Sequence, residues 1–214
     1  MTDIYLHERL YRGRGAIEKL GAVKVTLCGA GALGSLLADN LVRQGVRQLT
    51  AIDDDRVESH NAGTQLFGQS DVGAFKVDVL RAHCFRAVGV EITTIAKRLD
   101  ERTVGRFLRG AELVVDTFDN SESRRIVAEY CATHQLPCLH LGMNEDYGEV
   151  RWNEVYRVPS DVVVRDVCDY PLARNLILLV VAAGSEAVLR YVLEGKQENY
   201  STTLRDLKIN TDLT

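Results

Sequence analysis

Three glycines at fixed spacing follow a short apolar run. The run, Val23 to Cys28, is typical of a buried strand and leads into Gly29-Ala30-Gly31-Ala32-Leu33-Gly34. In this G-x-G-x-x-G pattern Gly29 permits a tight turn, Gly31 lets a phosphate approach the backbone, and Gly34 lets helix and strand pack closely. The following helix offers free N–H groups and the positive end of its dipole. The loop therefore predicts a nucleotide-phosphate site.

A carboxylate stands at the end of the next predicted strand. Asp53 follows Gln48 to Ile52, about where a ribose-binding carboxylate belongs. The glycine loop alone is shared by many dinucleotide enzymes, and it is also compatible with a tight turn that binds nothing. Three correctly spaced glycines together with Asp53 favour nucleotide binding over that structural alternative.

Further acidic, amide and cationic residues follow a fixed order along the chain. These residues are Arg9, Arg12, Asp53, Asp55, Asn61, Gln65, Lys76, Asp116, Asp119 and Asn120. The series forms R-x-x-R, D-x-D-x-V-x-x-x-N-x-x-x-Q, a lysine and D-x-x-D-N, and it extends over nearly the whole chain. With the glycine loop, the set closely resembles the ubiquitin-activating superfamily, the ThiF, MoeB and HesA group.

The resemblance implies an enzyme that uses ATP and Mg²⁺ to adenylate a carboxylate. By this resemblance Asp53 holds the ribose, Lys76 the phosphates and Asp119 the magnesium, while Asn61 positions the nucleotide. Arg12 is then an arginine finger supplied by the other subunit of a dimer. Magnesium prefers one or two carboxylates plus phosphate oxygens, and cations withdraw electrons from the α-phosphate during attack. The resemblance also assigns nucleotide contacts to four further motif residues: Arg9, Asp55, Gln65 and Asn120.

Each of these residues also has a simpler interpretation. Lys76 is compatible with a solvated helix lysine, and Arg9 and Arg12 with surface ion pairs. Asp119 is compatible with an N-cap of the following helix, a role that Asn120 also fits. The functional interpretation depends on all of them occurring together in the family's order.

One position departs from the family pattern N-x-x-R-Q. The chain has Asn61-Ala62-Gly63-Thr64-Gln65, so Thr64 replaces an arginine that contacts phosphate in the family. Loss of one cation at the transition state costs a few kcal/mol, or roughly a hundredfold in rate. Either Arg56, Arg9 or a partner's residue compensates, or the protein is a weakened or inactive relative.

Cys168 is a candidate nucleophile. It lies in Asp166-Val167-Cys168-Asp169, ahead of an apolar helix, where thioester-forming or persulfide-forming family members place a cysteine. The flanking Asp166 and Asp169 disfavour a thiolate, so a bystander cysteine is the alternative. The other cysteines give no catalytic signal, because Cys28 and Cys138 end core strands and Cys84 and Cys131 fall on helices.

The surrounding pattern predicts an α/β fold of the Rossmann type. We expect a mainly parallel sheet with helices on both faces and a C-terminal antiparallel extension. The predicted strands are Val23–Cys28, Gln48–Ile52, Glu91–Ala96, Leu113–Asp116, Pro137–Leu141, Glu149–Val158 and Thr202–Ile209. The predicted helices are Ala32–Gln44, Val72–Val88, Ser121–His134 and Asn175–Leu193, with an irregular crossing segment at Ser160–Leu172.

We expect one domain over residues 1–214 with three parts. These are an arginine-bearing segment (1–22), a nucleotide-binding core (23–142) and a crossover segment with a helix and a closing strand (143–214). The apolar stretch Asn175–Leu193 is long enough to suggest a membrane span. Glu186 and Arg190 favour a core helix instead.

Composition narrows the function class. The 214 residues are 46% hydrophobic and carry a formal net charge of −4, which argues against a general nucleic-acid or membrane-surface binder. The five cysteines include no C-x-x-C pair, so we expect neither a disulfide framework nor a structural zinc. The N-terminus lacks the apolar core of a signal peptide, and we expect a cytoplasmic protein.

The leading hypothesis is adenylation of the C-terminal carboxylate of a small ubiquitin-like or sulfur-carrier protein with a glycine C-terminus, by a homodimer. Transfer to Cys168 would follow. A small-molecule, peptide or tRNA-borne carboxylate stays open as the substrate. The main alternative is a catalytically weak or inactive subunit that dimerises with an active relative. An NAD(P)-dependent oxidoreductase is a distant third, because it has no need of D-x-x-D-N.

Overall fold

A computed structural model of the chain describes residues 3–159 and 171–212. The described strands are β1 Lys24–Cys28, β2 Gln48–Ile52, β3 Thr93–Ile95, β4 Leu113–Asp116, β5 Cys138–Asn144, β6 Tyr147–Trp152, β7 Asn199–Thr203 and β8 Ile209–Asp212. The described α-helices are α1 Leu6–Arg12, α2 Arg14–Ala22, α3 Ala32–Arg43, α4 Lys76–Val88, α5 Val104–Phe107, α6 Ser121–Thr133 and α7 Arg174–Glu194. Two short 3₁₀ helices lie at Ser59–Gly63 and Gln69–Asp71.

All eight described strands form one sheet in the order β3-β2-β1-β4-β5-β6-β7-β8. The first five are parallel, and β6, β7 and β8 continue the sheet in antiparallel pairs. Because the connections among parallel strands contain helices, the carboxyl ends of β1, β2 and β4 meet at one edge. The predicted fold class is confirmed, including the antiparallel extension.

Side-chain alternation along the strands divides the core in two. In β4, Leu113 and Val115 face the core formed with α3, α4 and α7, whereas Val114 faces the core formed with α5 and α6. Burial on both faces explains why the central strands are continuous apolar runs, as expected for parallel strands covered by helices on each side.

By length and composition, helix α7 could cross a membrane. In the fold, however, 56% of its most apolar stretch is buried inside the protein. Leu176, Ile177 and Val180 on this helix are fully buried in the core against the sheet. Helix α7 also approaches β5 and β6 closely, because Gly184 and Gly148 leave no room for a side chain at those contacts. This packing agrees with the predicted core helix.

Two strand predictions near the C-terminus were wrong. Strand β6 ends at Trp152 rather than Val158, because the chain turns there and the Trp152 carbonyl accepts from the Val155 and Tyr156 N–H groups at 3.1 and 3.0 Å. The predicted strand Thr202–Ile209 is instead two strands, β7 and β8, separated by a turn. Asp206 forms that turn by accepting hydrogen bonds from the Thr203 hydroxyl and the Lys208 N–H.

Two regions in the first half of the chain also differ from expectation. Helix α4 begins at Lys76 and not at Val72, because Phe75 pairs with Arg56 in an antiparallel bridge and Gly73 has a positive φ of 91°. Residues 3–22 contain two helices that the pattern did not predict. The division of the chain into parts 1–22, 23–142 and 143–214 stays a prediction.

Candidate functional site

The glycine loop joins β1 to α3 through a close contact. Gly29 has a φ of 94°, a conformation that favours glycine. A Cβ at Gly34 would lie 2.1 Å from the Gly29 carbonyl oxygen, whereas a Cβ at Gly31 would meet no atom within 4 Å. The loop is therefore closed beneath Gly34 and open above Gly31, as the predicted roles of the second and third glycines require.

Thr117 fixes this loop from the end of β4. Its N–H donates to the Cys28 carbonyl at 2.8 Å, and its hydroxyl lies 3.0 Å from the Cys28 carbonyl and 3.1 Å from that of Gly29. Thr117 was not predicted as a site residue, although it occupies the second position of D-x-x-D-N. It binds the ends of β1 and β4 together directly behind the loop.

A cavity of about 250 Å³ opens above Gly31 at the carboxyl edge of the sheet. Its described lining is Gly29, Gly31, Asp53, Asp54, Asp55, Lys76, Arg98, Leu99, Thr117, Phe118, Asp119, Asn120 and Ser123. Seven of the predicted site residues are in this lining: Gly29, Gly31, Asp53, Asp55, Lys76, Asp119 and Asn120. The fold therefore brings together residues that are up to 91 positions apart in the sequence.

Asp53 is nearly buried, and each of its two carboxylate oxygens accepts one backbone hydrogen bond. One oxygen accepts from the Ala30 N–H at 2.6 Å and the other from the Asp55 N–H at 2.8 Å. Burial raises the pKa of Asp53, an effect that the nearby Lys76 ammonium opposes. The carboxylate thus fixes the glycine loop and also lines the cavity beside it.

Lys76 begins α4 and is almost fully buried. Its Nζ lies 2.8 Å from Oδ2 of Asp55, whose side chain is 67% exposed. The Lys76 backbone N–H also donates to the Asp55 carbonyl at 3.0 Å, which holds the two residues next to each other. A buried ammonium paired with an exposed carboxylate can accept a second anion, so the interpretation of Lys76 as a solvated surface lysine was wrong.

Asp119 and Asn120 have separate positions after β4. The Asn120 side chain is the N-cap of α6 and accepts from the Ser123 N–H at 2.8 Å. Asp119 is exposed at the cavity. Because Asn120 performs the capping role, the N-cap interpretation of Asp119 was wrong. A nucleotide contact by Asn120 stays a prediction.

Asn61 and Gln65 lie outside the described lining of the cavity. Asn61 is buried, and its side-chain oxygen accepts from the Glu58 N–H at 2.8 Å, which orders the 3₁₀ turn Ser59–Gly63. The Gln65 Oε1 atom is buried without a hydrogen-bond partner among the described residues. The Asn61 side chain supports the 3₁₀ turn, and the predicted nucleotide contacts of Asn61 and Gln65 stay predictions.

The two N-terminal arginines are also outside this lining. Arg12 pairs with Glu8 at 2.8 Å and with Glu186 of α7 at 2.7 Å. Arg9 pairs with Asp3 at 2.6 Å and lines a different cavity of about 480 Å³. Within one chain, neither guanidinium reaches the cavity beside Gly31.

Thr64 stands where the family pattern has an arginine. Within the described residues, neither Arg56 nor Arg9 supplies a guanidinium to the cavity in its place. The Arg56 guanidinium lies over the Phe75 ring, 3.9 Å from its centre, and donates to the Gly73 carbonyl. Arg98 is a lining cation that was not predicted from the sequence, and its Nη2 lies 3.2 Å from the Glu122 carboxylate at the start of α6. An exposed arginine in a polar loop carries no sequence signal, and only the position of the β3 end beside β2 brings Arg98 here.

A buried ionic cluster lies directly behind Asp119. Asp116 is fully buried and pairs with His140 Nδ1 at 2.8 Å and with Arg124 Nη1 at 3.4 Å. Burial favours a higher pKa for Asp116, but Arg124, His140 and the Phe118 N–H outweigh it and hold the pKa below its ordinary value. Burial favours a lower pKa for Arg124, but Asp116, Tyr156 and Asp119 together outweigh it and raise the pKa above its ordinary value.

Cys168 lies outside the described residues, so its predicted role stays a prediction. The other four cysteines are buried. Burial raises the pKa of Cys28 and Cys138 well above the ordinary range and that of Cys84 to about 12. These thiols therefore act as packing groups, as predicted for Cys28 and Cys138.

The ThiF family model matches residues 7–199. The chain belongs to the ThiF family. This ThiF-family chain is 30% identical over 157 residues to the sulfur carrier protein ThiS adenylyltransferase of Bacillus subtilis, covering 69% of this chain and 46% of that protein. It is 32% identical over 124 residues to the molybdopterin-synthase adenylyltransferase of Salmonella typhimurium, covering 57% of this chain and 50% of that protein. The ThiF-family chain thus spans about half the length of these curated relatives.

Solved structures support the fold of this ThiF-family chain. The crystal structure of E. coli MccB with MccA-N7isoASN superposes with a TM-score of 0.83 at 18% identity, covering 99% of this chain and 72% of that chain. At this identity the likeness concerns the fold alone. The predicted resemblance to the ThiF and MoeB group is confirmed by the family match and by the two relatives.

The two glycines of the loop provide a matched test of site and fold. We expect Gly34→Ala to lower the free energy of unfolding by about 1–3 kcal/mol, because the added methyl group meets a backbone carbonyl. We expect Gly31→Ala to unfold within about 1 kcal/mol of wild type, the cost of alanine at the N-cap of α3, but to bind ATP at least about tenfold more weakly, since the methyl group occupies the open space above the loop. Urea unfolding and calorimetric ATP titration measure the two effects. ATP binding by Gly31→Ala as tight as that of wild type would contradict a nucleotide-phosphate site above Gly31.

Proposed function

We propose that the protein adenylates the C-terminal carboxylate of a small ubiquitin-like or sulfur-carrier protein at the expense of ATP. The proposal depends on one observation, the single cavity in which Gly31, Asp53, Lys76 and Asp119 meet. Gly31 and Lys76 suit the phosphates of ATP, Asp53 suits the ribose, and Asp119 suits Mg²⁺. The names of the ThiS and molybdopterin-synthase relatives support a carrier protein as the acyl substrate.

The residues around the cavity favour one orientation of a bound ATP molecule. The triphosphate would lie above Gly31, where a side chain would otherwise stand, at the N-terminus of α3, whose first N–H groups have no acceptor within the helix. The ribose would lie against Asp53. Asp119 would hold Mg²⁺, because an exposed carboxylate that is not used for capping suits an ion that keeps most of its water and phosphate ligands.

The reaction is an in-line attack of a carboxylate oxygen on the α-phosphorus of ATP, with pyrophosphate leaving. Bound magnesium would neutralise charge on the phosphate oxygens. Lys76 would donate to phosphate oxygens from a buried position where its charge is poorly screened by water, and the α3 N-terminus would orient the chain of phosphates. The products are an acyl-adenylate and pyrophosphate, and a thiol can then attack the activated carbonyl.

Thr64 supports a second candidate, a weakened or inactive subunit that dimerises with an active relative. Lys76 and Asp119 line the cavity, and Arg98 adds a cation at its rim. These three residues favour an active site over a silent one. Exchange of labelled pyrophosphate into ATP decides between the two candidates, because the exchange requires reversible adenylate formation.

We expect carrier-dependent ATP–pyrophosphate exchange in the wild-type protein, using a ubiquitin-fold protein that ends in Gly-Gly as the acyl substrate. Asp119→Ala should reduce exchange at least about a hundredfold, because the phosphate charge loses its metal. Asp146→Ala is the control, since this aspartate pairs with Arg205 on the surface, outside the lining. Absence of wild-type exchange with several such carriers would contradict the proposal.

The same assay separates adenylation from thiol transfer. Cys168→Ala should retain exchange, because no thiol takes part in forming the adenylate, and should lose only an adduct that is sensitive to reducing agent on a gel. Equal loss of exchange in folded Cys168→Ala and Asp119→Ala would contradict this separation. Robust exchange without any such adduct in the wild type would make the adenylate itself the delivered product.

The site is proposed to be completed by a second subunit. Helix α1 has no buried residue, and it exposes Leu10 (74%) and Tyr11 (82%) next to Arg12. An apolar helix face of this kind suits an interface with a second copy. On dimerisation Arg12 would leave Glu186 and extend toward the partner's phosphates.

We expect Arg12→Ala and Asp119→Ala to be inactive alone but to complement each other after mixing. In an equimolar mixture half of the dimers are mixed and each has one intact site, so exchange should recover to about a quarter of wild type. Native mass spectrometry verifies that mixed dimers form. If they form without any recovery of exchange, Arg12 does not act in trans.

Arg98 is proposed as an additional nucleotide contact. It follows β3, and Asp53 donates its N–H to the Ile95 carbonyl at the end of that strand, so Arg98 belongs to the ribose side of the cavity. We expect Arg98→Ala to weaken AMP and ATP binding alike, by about tenfold, as for loss of one charged hydrogen bond. Arg102→Ala is the control, because this exposed arginine pairs with Asp100 outside the lining. Weaker ATP binding with unchanged AMP binding would place Arg98 at the phosphates instead.

A further inference from the structure

The exposed Asp119 is presented by a short turn that begins at the buried Asp116. The Asp116 Oδ1 atom accepts from the Phe118 N–H at 3.0 Å. This hydrogen bond forms the turn that ends one residue before Asp119. The Asp116 Oδ2 atom accepts from His140 and Arg124 on the other side. Rotation of this one carboxylate would therefore change the path of the backbone that leads to Asp119.

His140 is fixed on three sides. Its Nδ1 lies 2.8 Å from Asp116 Oδ2, and its Nε2 lies 2.8 Å from the Asn153 side-chain oxygen. The Asn153 amide nitrogen donates to the Ala128 carbonyl at 3.3 Å, so the amide oxygen is the atom that faces the ring. The ring also stacks on Tyr156, with centroids 3.8 Å apart and planes 7° apart.

Arg124 is committed to other acceptors as well as to Asp116. Its Nη2 donates to the Leu141 carbonyl at 2.6 Å, and its Nη1 lies 3.0 Å from the Tyr156 hydroxyl but 3.4 Å from Asp116. The shorter and better-placed donor to Asp116 is thus the His140 Nδ1–H. The histidine, more than the arginine, sets the orientation of the Asp116 carboxylate.

We propose that His140 is a positioning residue for the metal-binding turn. Its Nδ1–H holds Asp116, Asp116 holds the Phe118 N–H, and the turn presents Asp119 to magnesium. The inference rests on the proposed function, because it assigns Mg²⁺ to Asp119. It predicts that loss of the Nδ1 donor weakens ATP binding when magnesium is present and leaves metal-free ATP binding unchanged.

Two substitutions of His140 separate this role from simple packing. In His140→Asn the amide nitrogen lies near the former Nδ1 and can still donate to Asp116. In His140→Gln the amide lies near the former Nε2, so the donor faces Asn153, and Asp116 keeps only Arg124 and the Phe118 N–H as donors among the described residues. Both variants lose the stacked ring, so both thermal unfolding midpoints should fall, and that of His140→Gln should fall further because the buried Asp116 also loses a donor.

Calorimetric titration of ATP with and without Mg²⁺ tests the proposal at a temperature where all variants are folded. We expect wild type and His140→Asn to bind ATP·Mg²⁺ within about threefold of each other, and His140→Gln to bind it about tenfold more weakly, as for loss of one hydrogen bond to a charged group. Metal-free ATP binding should be equal in all three. Equal ATP·Mg²⁺ binding by the two variants would overturn the proposal, and so would equal losses with and without metal.

A second variant serves if His140→Gln does not fold. Asn153→Ala leaves His140 and Asp116 in place but removes the acceptor that orients the ring. It should weaken ATP·Mg²⁺ binding severalfold without a change in metal-free ATP binding, and unchanged binding in both conditions would overturn the proposal. If wild-type protein binds no ATP with or without Mg²⁺, the proposed function is wrong, and the assignment of His140 is wrong with it.

Discussion

The contact between the glycine loop and the end of β4 is the constraint on which the site depends. Helix α3 reaches the loop only because residue 34 has no side chain, and the Thr117 hydroxyl fills the space between two loop carbonyls. Asp53 then accepts the Ala30 N–H, which joins the end of β2 to the same loop. Three strand ends are thereby fixed to one short stretch of backbone. Asp53, Thr117 and the glycine loop therefore hold fixed positions relative to one another at the cavity.

The charges around the cavity determine what form of nucleotide suits it. Four aspartates line the cavity, Asp53, Asp54, Asp55 and Asp119, against the two cations Lys76 and Arg98. One of these cations is already paired with Asp55. A bare triphosphate would meet more negative than positive charge, whereas its magnesium complex carries a cation that the exposed Asp119 can bind. Electrostatic complementarity therefore favours entry of the metal–nucleotide complex as a unit.

The sequence specified the centre of the molecule better than its ends. Strands β2 and β4 were predicted to the residue. The whole of β4 is buried, β2 buries Leu49, Ala51 and Ile52, and turn residues follow both strands. Helix α1 was missed because it buries nothing, so no core requirement shapes its pattern. The break between β7 and β8 depends on hydrogen bonds to Asp206 that alternation cannot indicate. At the site, the motif residues were predictable because their types follow phosphate and metal chemistry. Arg98 and His140 were not, since neither has a neighbour in sequence that signals its place in the fold.

The separation of Asp119 from Asn120 has an evolutionary consequence. Asn120 stabilises the start of α6, and Asp119 contributes no cap to that helix. Replacement of Asp119 would therefore leave the helix intact and would not lower the stability of the fold. Selection for folding alone would then not preserve this residue. A lineage released from selection for the proposed reaction could lose this carboxylate by drift while keeping the sheet and the buried cluster. The residue at position 119 is therefore an informative marker of retained or lost activity when relatives of this chain are compared.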